Sequence, residues 1–268
     1  MAASFIKMHG LGNDFVVIDA RAAPVAMTAN QARAIANRHT GIGCDQLIVL
    51  EPSAIADVRM RIWNSDGCEV ESCGNANRCV AQLIGGETRI ETAGGVLDAS
   101  NRGSLVSVDF PEPRFDAQSI PLSFAMDTMA MPVGWDVLSG PMAVNVGNPH
   151  IIFFVDDCDA IALEELGPLI EHDPLFPNRI NVNVATITSD TSLRLRVWER
   201  GSGLTLACGT GAVATAVCAI RSRRVIAPVT VSLTGGDLVI DWSGTGPVTM
   251  HGPATEVFRG TFDWTAFA

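Results

Sequence analysis

Positive charge is scarce in this sequence. Lysine occurs once, as Lys7, and 18 Lys and Arg stand against 29 Asp and Glu, for a formal net charge of -11. Nucleic-acid phosphates are held by clustered Lys and Arg, so this balance argues against a nucleic-acid partner. A single lysine also leaves a single candidate for a Schiff base to pyridoxal phosphate, and Lys7 stands in no glycine-rich phosphate-binding context. Long apolar runs are missing as well. None approaches the roughly 20 residues that cross a bilayer, and Met1 to Gly10 lacks a basic segment followed by an apolar stretch and a cleavage site. The chain therefore reads as soluble and cytoplasmic, with no membrane partner.

Metal-ligand spacing is absent too. The seven cysteines include no C-x-x-C pair, and the histidines (His9, His39, His150, His172, His251) form no two-His helical pair. Structural zinc and a disulfide framework are both poor fits, and no metal or cofactor is expected.

What is present is a repeat. Arg59-Met-Arg-Ile-Trp63 recurs as Arg194-Leu-Arg-Val-Trp198, 135 positions further along, from residue 59 to residue 194. The same offset carries Cys73-Gly74 onto Cys208-Gly209, Gly12-Asn13 onto Gly147-Asn148, Val16-Val17 onto Ile151-Ile152, and Gln46 onto Asn181. With six further residues inserted, Thr92-Ala-Gly-Gly-Val-Leu97 lies over Leu233-Thr-Gly-Gly-Asp-Leu238. The 47% hydrophobic content suffices for two cores. Two halves follow, 1–115 with Cys73 and 116–268 with Cys208, meeting near Asp109-Phe-Pro-Glu-Pro-Arg-Phe115, the last strand being free to return to the first half.

Alternating or β-branched runs predict strands at Phe15 to Ile18, Val58 to Trp63, Leu105 to Phe110, Leu193 to Trp198 and Val229 to Leu233. After each Cys-Gly the period changes to helical. Cys73 to Ile84 is amphipathic and stops at Gly85, whereas Cys208 to Arg221 is apolar nearly all round and must be buried. The expected fold is α+β: two pseudo-symmetric domains, each a curved, mostly antiparallel sheet or barrel wrapped around a central helix. Ile120 to Leu138 carries no legible pattern and reads as a variable connection.

Each helix then begins at a cysteine. A thiol with its ordinary pKa of about 8.5 is only a few per cent ionised at neutral pH, and a helix N-terminus favours the anion. The N–H groups of Gly74, Asn75, Gly209 and Thr210 could bind a carboxylate and hold the charge that builds on it when the adjacent carbon loses a proton. Inverting a stereocentre needs a base on one face and an acid on the other, and a duplicated domain can supply both. A free cysteine is more often a buried apolar residue, the reading that suits Cys44, Cys68, Cys79, Cys158 and Cys218.

Met8-His-Gly-Leu-Gly-Asn-Asp-Phe15, Cys73-Gly-Asn75, Gly147-Asn-Pro-His150, Trp198-Glu-Arg-Gly201 and Ala207-Cys-Gly-Thr-Gly211 together resemble the diaminopimelate epimerase family, in order and over nearly the whole length. The resemblance implies a pyridoxal-independent interconversion of LL- and meso-2,6-diaminopimelate, a small-molecule substrate, by a homodimer. It implies Cys73 and Cys208 as the catalytic thiols and His150 and Glu199 as the groups tuning them. It implies substrate contacts from Asn13, Gln46, Asn64, Asn75, Asn148, Asn181, Glu199 and Arg200, with the arginine on the distal carboxylate. One departure stands out: after Asn75 the chain reads Ala76-Asn77-Arg78 where the family usually has Gly-x-Arg. The open alternatives are a proline or hydroxyproline racemase of the same fold, a binding protein that has kept the duplicated cleft, and a thiol redox protein.

Overall fold

The repeat in the sequence reappears as a repeat of strand register. The computed structural model describes residues 2–71, 73–102 and 105–267, and the chain divides into two compact units, Met1–Val108 with Gly252–Ala268, and Asp109–His251.

In the first unit the order is β1 (Ala2–Gly10), β2 (Asn13–Asp19), α1 (Ala29–Ala36), β3 (Gln46–Glu51), β4 (Val58–Asn64), β5 (Glu69–Val70), α2 (Gly74–Ile84), β6 (Gly86–Thr92), β7 (Gly95–Arg102) and β8 (Leu105–Phe110). The second unit follows with β9 (Gly134–Trp135), β10 (Leu138–Ser139), β11 (Met142–Asn145), β12 (Pro149–Phe154), α3 (Leu163–Glu171), β13 (Asn181–Ser189), β14 (Ser192–Glu199), β15 (Gly203–Thr205), α4 (Gly209–Arg221), β16 (Val229–Leu233), β17 (Gly236–Asp241) and β18 (Val248–Gly252). The chain then returns to the first unit as β19 (Thr255–Asp263), which pairs antiparallel with β1 from Ala2 opposite Asp263 to His9 opposite Thr255.

Corresponding strands pair alike. β2 runs parallel to β3 with Phe15 opposite Gln46, and β12 runs parallel to β13 with His150 opposite Asn181. Leu47 faces Trp63 across β3 and β4 as Val182 faces Trp198 across β13 and β14. Arg59 pairs with Glu91 in the parallel β4–β6 contact, and Arg194 with Ser232 in β14–β16. Within each unit the pairing is thus mainly antiparallel, with two parallel pairs.

Local patterns explain the elements. β4 and β14 bury Val58, Met60, Ile62 and Leu193, Leu195, Val197 and turn their arginines outward, the period-2 signature of a strand covered on one face. In α4 every residue from Gly209 to Ala219 is buried, and its small side chains admit β11 to β14, β16 and β17 around it. α2 buries Gly74 to Ala81 against β1, β6 and β7 and stops at Gly85.

Two helices escaped the sequence reading. α1 opens with a capping box in which Thr28 accepts from Gln31 N and the Gln31 side chain accepts from Thr28 N. α3 carries Gly167 and Pro168 inside it, which hides its period. Residues 120–138 are also more than a connection: Ile120, Met131 and Leu138 are buried in one cluster with Leu163, Leu166 and Ile170 of α3, and Trp135 donates from Nε1 to Asp173. Cys68 corrects another expectation, since it is exposed while Cys44, Cys79, Cys158 and Cys218 are buried.

A Cβ on Gly167 would stand 2.5 Å from Cγ of Trp198. Gly167→Ala is therefore expected to destabilise the second unit by about 1–3 kcal/mol through overpacking, read as a lower midpoint in urea denaturation. An unchanged midpoint contradicts this packing.

Candidate active site

Cys73 is the N-cap of α2 and Cys208 the N-cap of α4, both in extended conformation. Around each, the residues anticipated as site residues gather at the corresponding strand ends, but the two sulfurs are held differently.

In the first unit Cys73 makes no side-chain cap hydrogen bond to α2. Its thiol lies 3.7 Å from Asn13 Oδ1, which also accepts from Asn75 Nδ2 at 3.1 Å. The orientation of the Asn13 amide is set from behind, because Nδ2 donates to Asp45 Oδ2 at 3.0 Å. Asp45 in turn accepts from Arg38 at 2.8 Å and from Asp14 N at 3.1 Å. Asp14 carries the other side of this network: burial raises its carboxyl pKa, but bonds from Arg38 and Lys7 outweigh that and bring it from 3.8 to about 2. Asn75 Oδ1 accepts from Arg78 Nη2 at 2.9 Å, and Arg78 also donates to Pro253 O at 3.1 Å. Arg78 is fully buried, which lowers its pKa to about 10, and its charge acts on Cys73 as well as Cys79. The departure at Ala76 is absorbed inside the protein, where its methyl is fully buried. Gln46 Nε2 donates to Asn64 Oδ1 at 2.9 Å across β3 and β4, and Gln46 Oε1 is buried without a hydrogen-bond partner.

In the second unit Cys208 Sγ caps its own helix, accepting from Gly211 N at 3.4 Å, and lies 3.5 Å from Thr210 Oγ1. Asn148 Nδ2 donates to Thr210 Oγ1 at 3.3 Å, and His150 Nε2 meets Asn148 Oδ1 at 3.0 Å. His150 is fully buried, and burial, with the charge of Arg200 adding to it, pushes its pKa down to about 3. It is a neutral imidazole near neutral pH, with both ring nitrogens engaged by amide side chains. Asn181 spends its amide on backbone, donating to Pro149 O at 2.8 Å and accepting from Arg200 N at 3.0 Å, which leaves it one N–H and one lone pair. Glu199 accepts from Thr205 Oγ1. Arg200 Nη1 donates to Asn178 O at 3.3 Å.

Both units thus present a half-buried or buried sulfur at a helix N-terminus, an amide beside it and a second row of amides on the next strands. A profile of the diaminopimelate epimerase family matches residues 5–111 and 142–257. The diaminopimelate epimerase of Rhizorhabdus wittichii is 64% identical over 268 residues, covering 100% of this chain and 98% of that one, and the diaminopimelate epimerase of Zymomonas mobilis is 54% identical over the full length of both. The chain belongs to the diaminopimelate epimerase family. Among solved structures, a hydroxyproline epimerase from Agrobacterium vitis (TM-score 0.72, 14% identity, 99% of this chain and 94% of that one) and a PhzF-family phenazine biosynthesis protein from Bacillus anthracis (TM-score 0.70, 14% identity, 98% and 99%) share the fold. The stretch 112–141, unmatched by the family profile, includes the β9–β10 hairpin.

Family membership does not by itself reveal the residues that hold these side chains in place, and three of them carried no signal in the sequence. Asp45 orients Asn13. Glu171, almost fully buried, accepts from Trp198 Nε1 at 2.8 Å and Gly201 N at 3.0 Å and so anchors the turn bearing Glu199 and Arg200. Asn183 lies under α4 and touches His150. Acids and amides of this kind recur throughout any sequence, and only the fold tells them from surface residues. Among the described residues no cluster of His, Cys, Asp or Glu could hold a metal ion, and no helix is long and apolar enough to cross a membrane.

The depressed pKa of Asp14 makes a stability prediction. A carboxylate whose folded pKa lies below its unfolded value contributes stability that is present above the unfolded pKa and is lost as pH falls through the folded one, here between about 4 and about 2. Asp14→Asn is expected to cost about 1–2 kcal/mol at neutral pH and to flatten the acid limb of the stability curve. Denaturation midpoints across pH 2 to about 7 test it, and parallel curves for the two proteins would contradict the assignment.

Proposed function

We propose that this protein interconverts LL- and meso-2,6-diaminopimelate, with Cys73 and Cys208 acting on opposite faces of one α-carbon. One sulfur, as thiolate, takes the α-proton and becomes a thiol; the other, as thiol, gives its proton to the opposite face and becomes a thiolate. No atom is gained or lost, and the enzyme ends with the proton on the other sulfur. The observation that carries this reading is the repeated Cys-Gly helix start, one per unit at the same place in the same strand register, in a chain of this family.

The chemistry needs stabilisation of the carbanion, because an amino-acid α-proton is a weak acid. The helix N-termini at Gly74-Asn75 and Gly209-Thr210 offer N–H donors to the α-carboxylate, where negative charge collects as the proton leaves. In this reading His150 and Glu199 tune the thiols, His150 as a neutral imidazole. The distal amino-acid head is held by amides and by Arg200, whose guanidinium suits a carboxylate. Gln46 Oε1 fits this role: a buried acceptor lacking a donor is costly, and an ammonium group supplies one. Asn13, Asn64, Asn148 and Asn181 complete the set. The same reading includes turnover without pyridoxal phosphate or metal, a cytoplasmic setting and a homodimeric assembly.

The proline-racemase alternative is disfavoured by the distal amides and arginine, since a cyclic monocarboxylate has no second amino-acid head for them to hold. An inactive binding relative is disfavoured by the presence of both thiols. A redox role has its own mark: oxidation of the two cysteines to a disulfide would abolish turnover, and reductant would restore it.

Purified, reduced protein without added cofactor is expected to exchange the α-hydrogen of LL-diaminopimelate for solvent deuterium. Cys73→Ala and Cys208→Ala should each lower inversion at least about a thousandfold, the scale for losing an essential acid or base; full activity in either refutes the two-thiol mechanism. Arg200→Ala is expected mainly to weaken binding and selectivity for diaminopimelate over simple amino acids. Unchanged selectivity would remove Arg200 from the distal site.

A further inference from the structure

At one buried point the two units differ where the repeat would have them match. The offset that superposes the cysteines carries Phe15 onto His150 and Ile48 onto Asn183, and the strand registers agree: Val17 opposite Ile48 in the first unit, Ile152 opposite Asn183 in the second. All four side chains are fully buried. The first unit fills this position with an apolar pair, so the fold has no need of a polar one. Burying an imidazole and a carboxamide costs free energy unless their hydrogen bonds are met, and in the second unit those bonds run in one direction.

Asn183 Nδ2 donates to Ile151 O at 3.0 Å, which fixes which end of the amide carries the protons. The same Nδ2 lies 3.1 Å from His150 Nδ1, so Nδ1 is the acceptor and the imidazole proton sits on Nε2. Nε2–H then donates to Asn148 Oδ1 at 3.0 Å, and Asn148 Nδ2 donates to Thr210 Oγ1 at 3.3 Å. Having accepted that bond, the Thr210 hydroxyl is left with its own proton to give, and Cys208 Sγ stands 3.5 Å away. The other end of Asn183 is enclosed rather than bonded. Its Oδ1 is buried without a hydrogen-bond partner, and a Cβ on Gly211 would lie 2.7 Å from it, so the glycine that donates to Cys208 is also the one that makes room for Asn183.

We propose that Asn183 is a positioning residue for the epimerase reaction: it sets the Nε2–H tautomer of His150, and through Asn148 and Thr210 it aims a hydroxyl donor at the sulfur of Cys208. The role rests on the function proposed above. It differs from a purely structural duty, the bond to Ile151 O, in acting through the direction of four successive hydrogen bonds. The charge bearing on His150 is that of Arg200, whose field disfavours the imidazolium; the first turn of α4 carries no acid.

Asn183→Asp is nearly isosteric but presents no donor to Nδ1. The proton is expected to move to Nδ1, reversing the chain and depriving the thiolate of a donor. Long-range proton–nitrogen spectra of histidine-labelled protein, with His150 assigned by its absence in His150→Ala, read the tautomer directly. In the unaltered protein Nε2 is expected to carry the proton, and in Asn183→Asp it is expected on Nδ1. With diaminopimelate as substrate, kcat should fall at least about tenfold with KM changed less than about threefold, and the acid limb of kcat/KM should move up by about one pH unit, one unit being a tenfold change in the ionisation equilibrium. An Nδ1–H tautomer in the unaltered protein overturns the proposal, as does a folded Asn183→Asp variant with an unmoved acid limb. If Asn183→Asp does not fold, the tautomer in the unaltered protein still decides. Should the unaltered protein fail to exchange the substrate's α-hydrogen, it is the functional reading that falls, and the tautomer spectrum tests the hydrogen-bond chain separately.

Discussion

Donors around a sulfur favour its anion, and the bond from Gly211 N to Cys208 Sγ at the start of α4 is the most direct one in this protein. Much of the second unit follows from placing that helix end. α4 is buried along its length, so its side chains are small; because they are small, strands can close around it; and because strands close around it, the start of β12 brings Asn148 and His150 to Thr210, which stands beside the sulfur. The helix dipole and the N–H groups of its first turn come with the geometry.

Duplication gives the first unit the same frame but not the same chemistry. Cys73 occupies the same N-cap, yet it faces Asn13 Oδ1, an acceptor, and makes no cap bond to its helix. The amide is held in that orientation by the Asp45 carboxylate, itself tied to Arg38 and Asp14. Arg78 opposes this by placing a buried cation near the same sulfur. Each thiol therefore sits in its own balance of acceptor, donor and charge.

The large features were legible because they rest on repetition and period. The 135-residue offset, the helix after each Cys-Gly and the strands at Val58 to Trp63 and Leu193 to Trp198 all depend on patterns many residues long, which tertiary packing reinforced. The candidate site was legible through family motifs at Cys73, His150, Glu199 and Cys208. Its support was not. Asp45, Glu171 and Asn183 act by meeting partners 27 to 33 positions away in sequence, across strands that sit side by side only once folded. α1 is announced in the sequence only by Thr28-x-x-Gln31, a short signal amid a loop-like composition. Residues 120–138 could not, since their buried Ile120, Met131 and Leu138 keep no regular period and contribute to the core singly.

A crystal structure with an unreactive diaminopimelate analogue tests the two-sulfur arrangement most directly. The expected result has Cys73 Sγ and Cys208 Sγ on opposite faces of the same α-carbon, each within about 3–4 Å of it, the distance of a near-attack geometry. Sulfurs that open onto different parts of the ligand, or one that lies out of reach of that carbon, would contradict it.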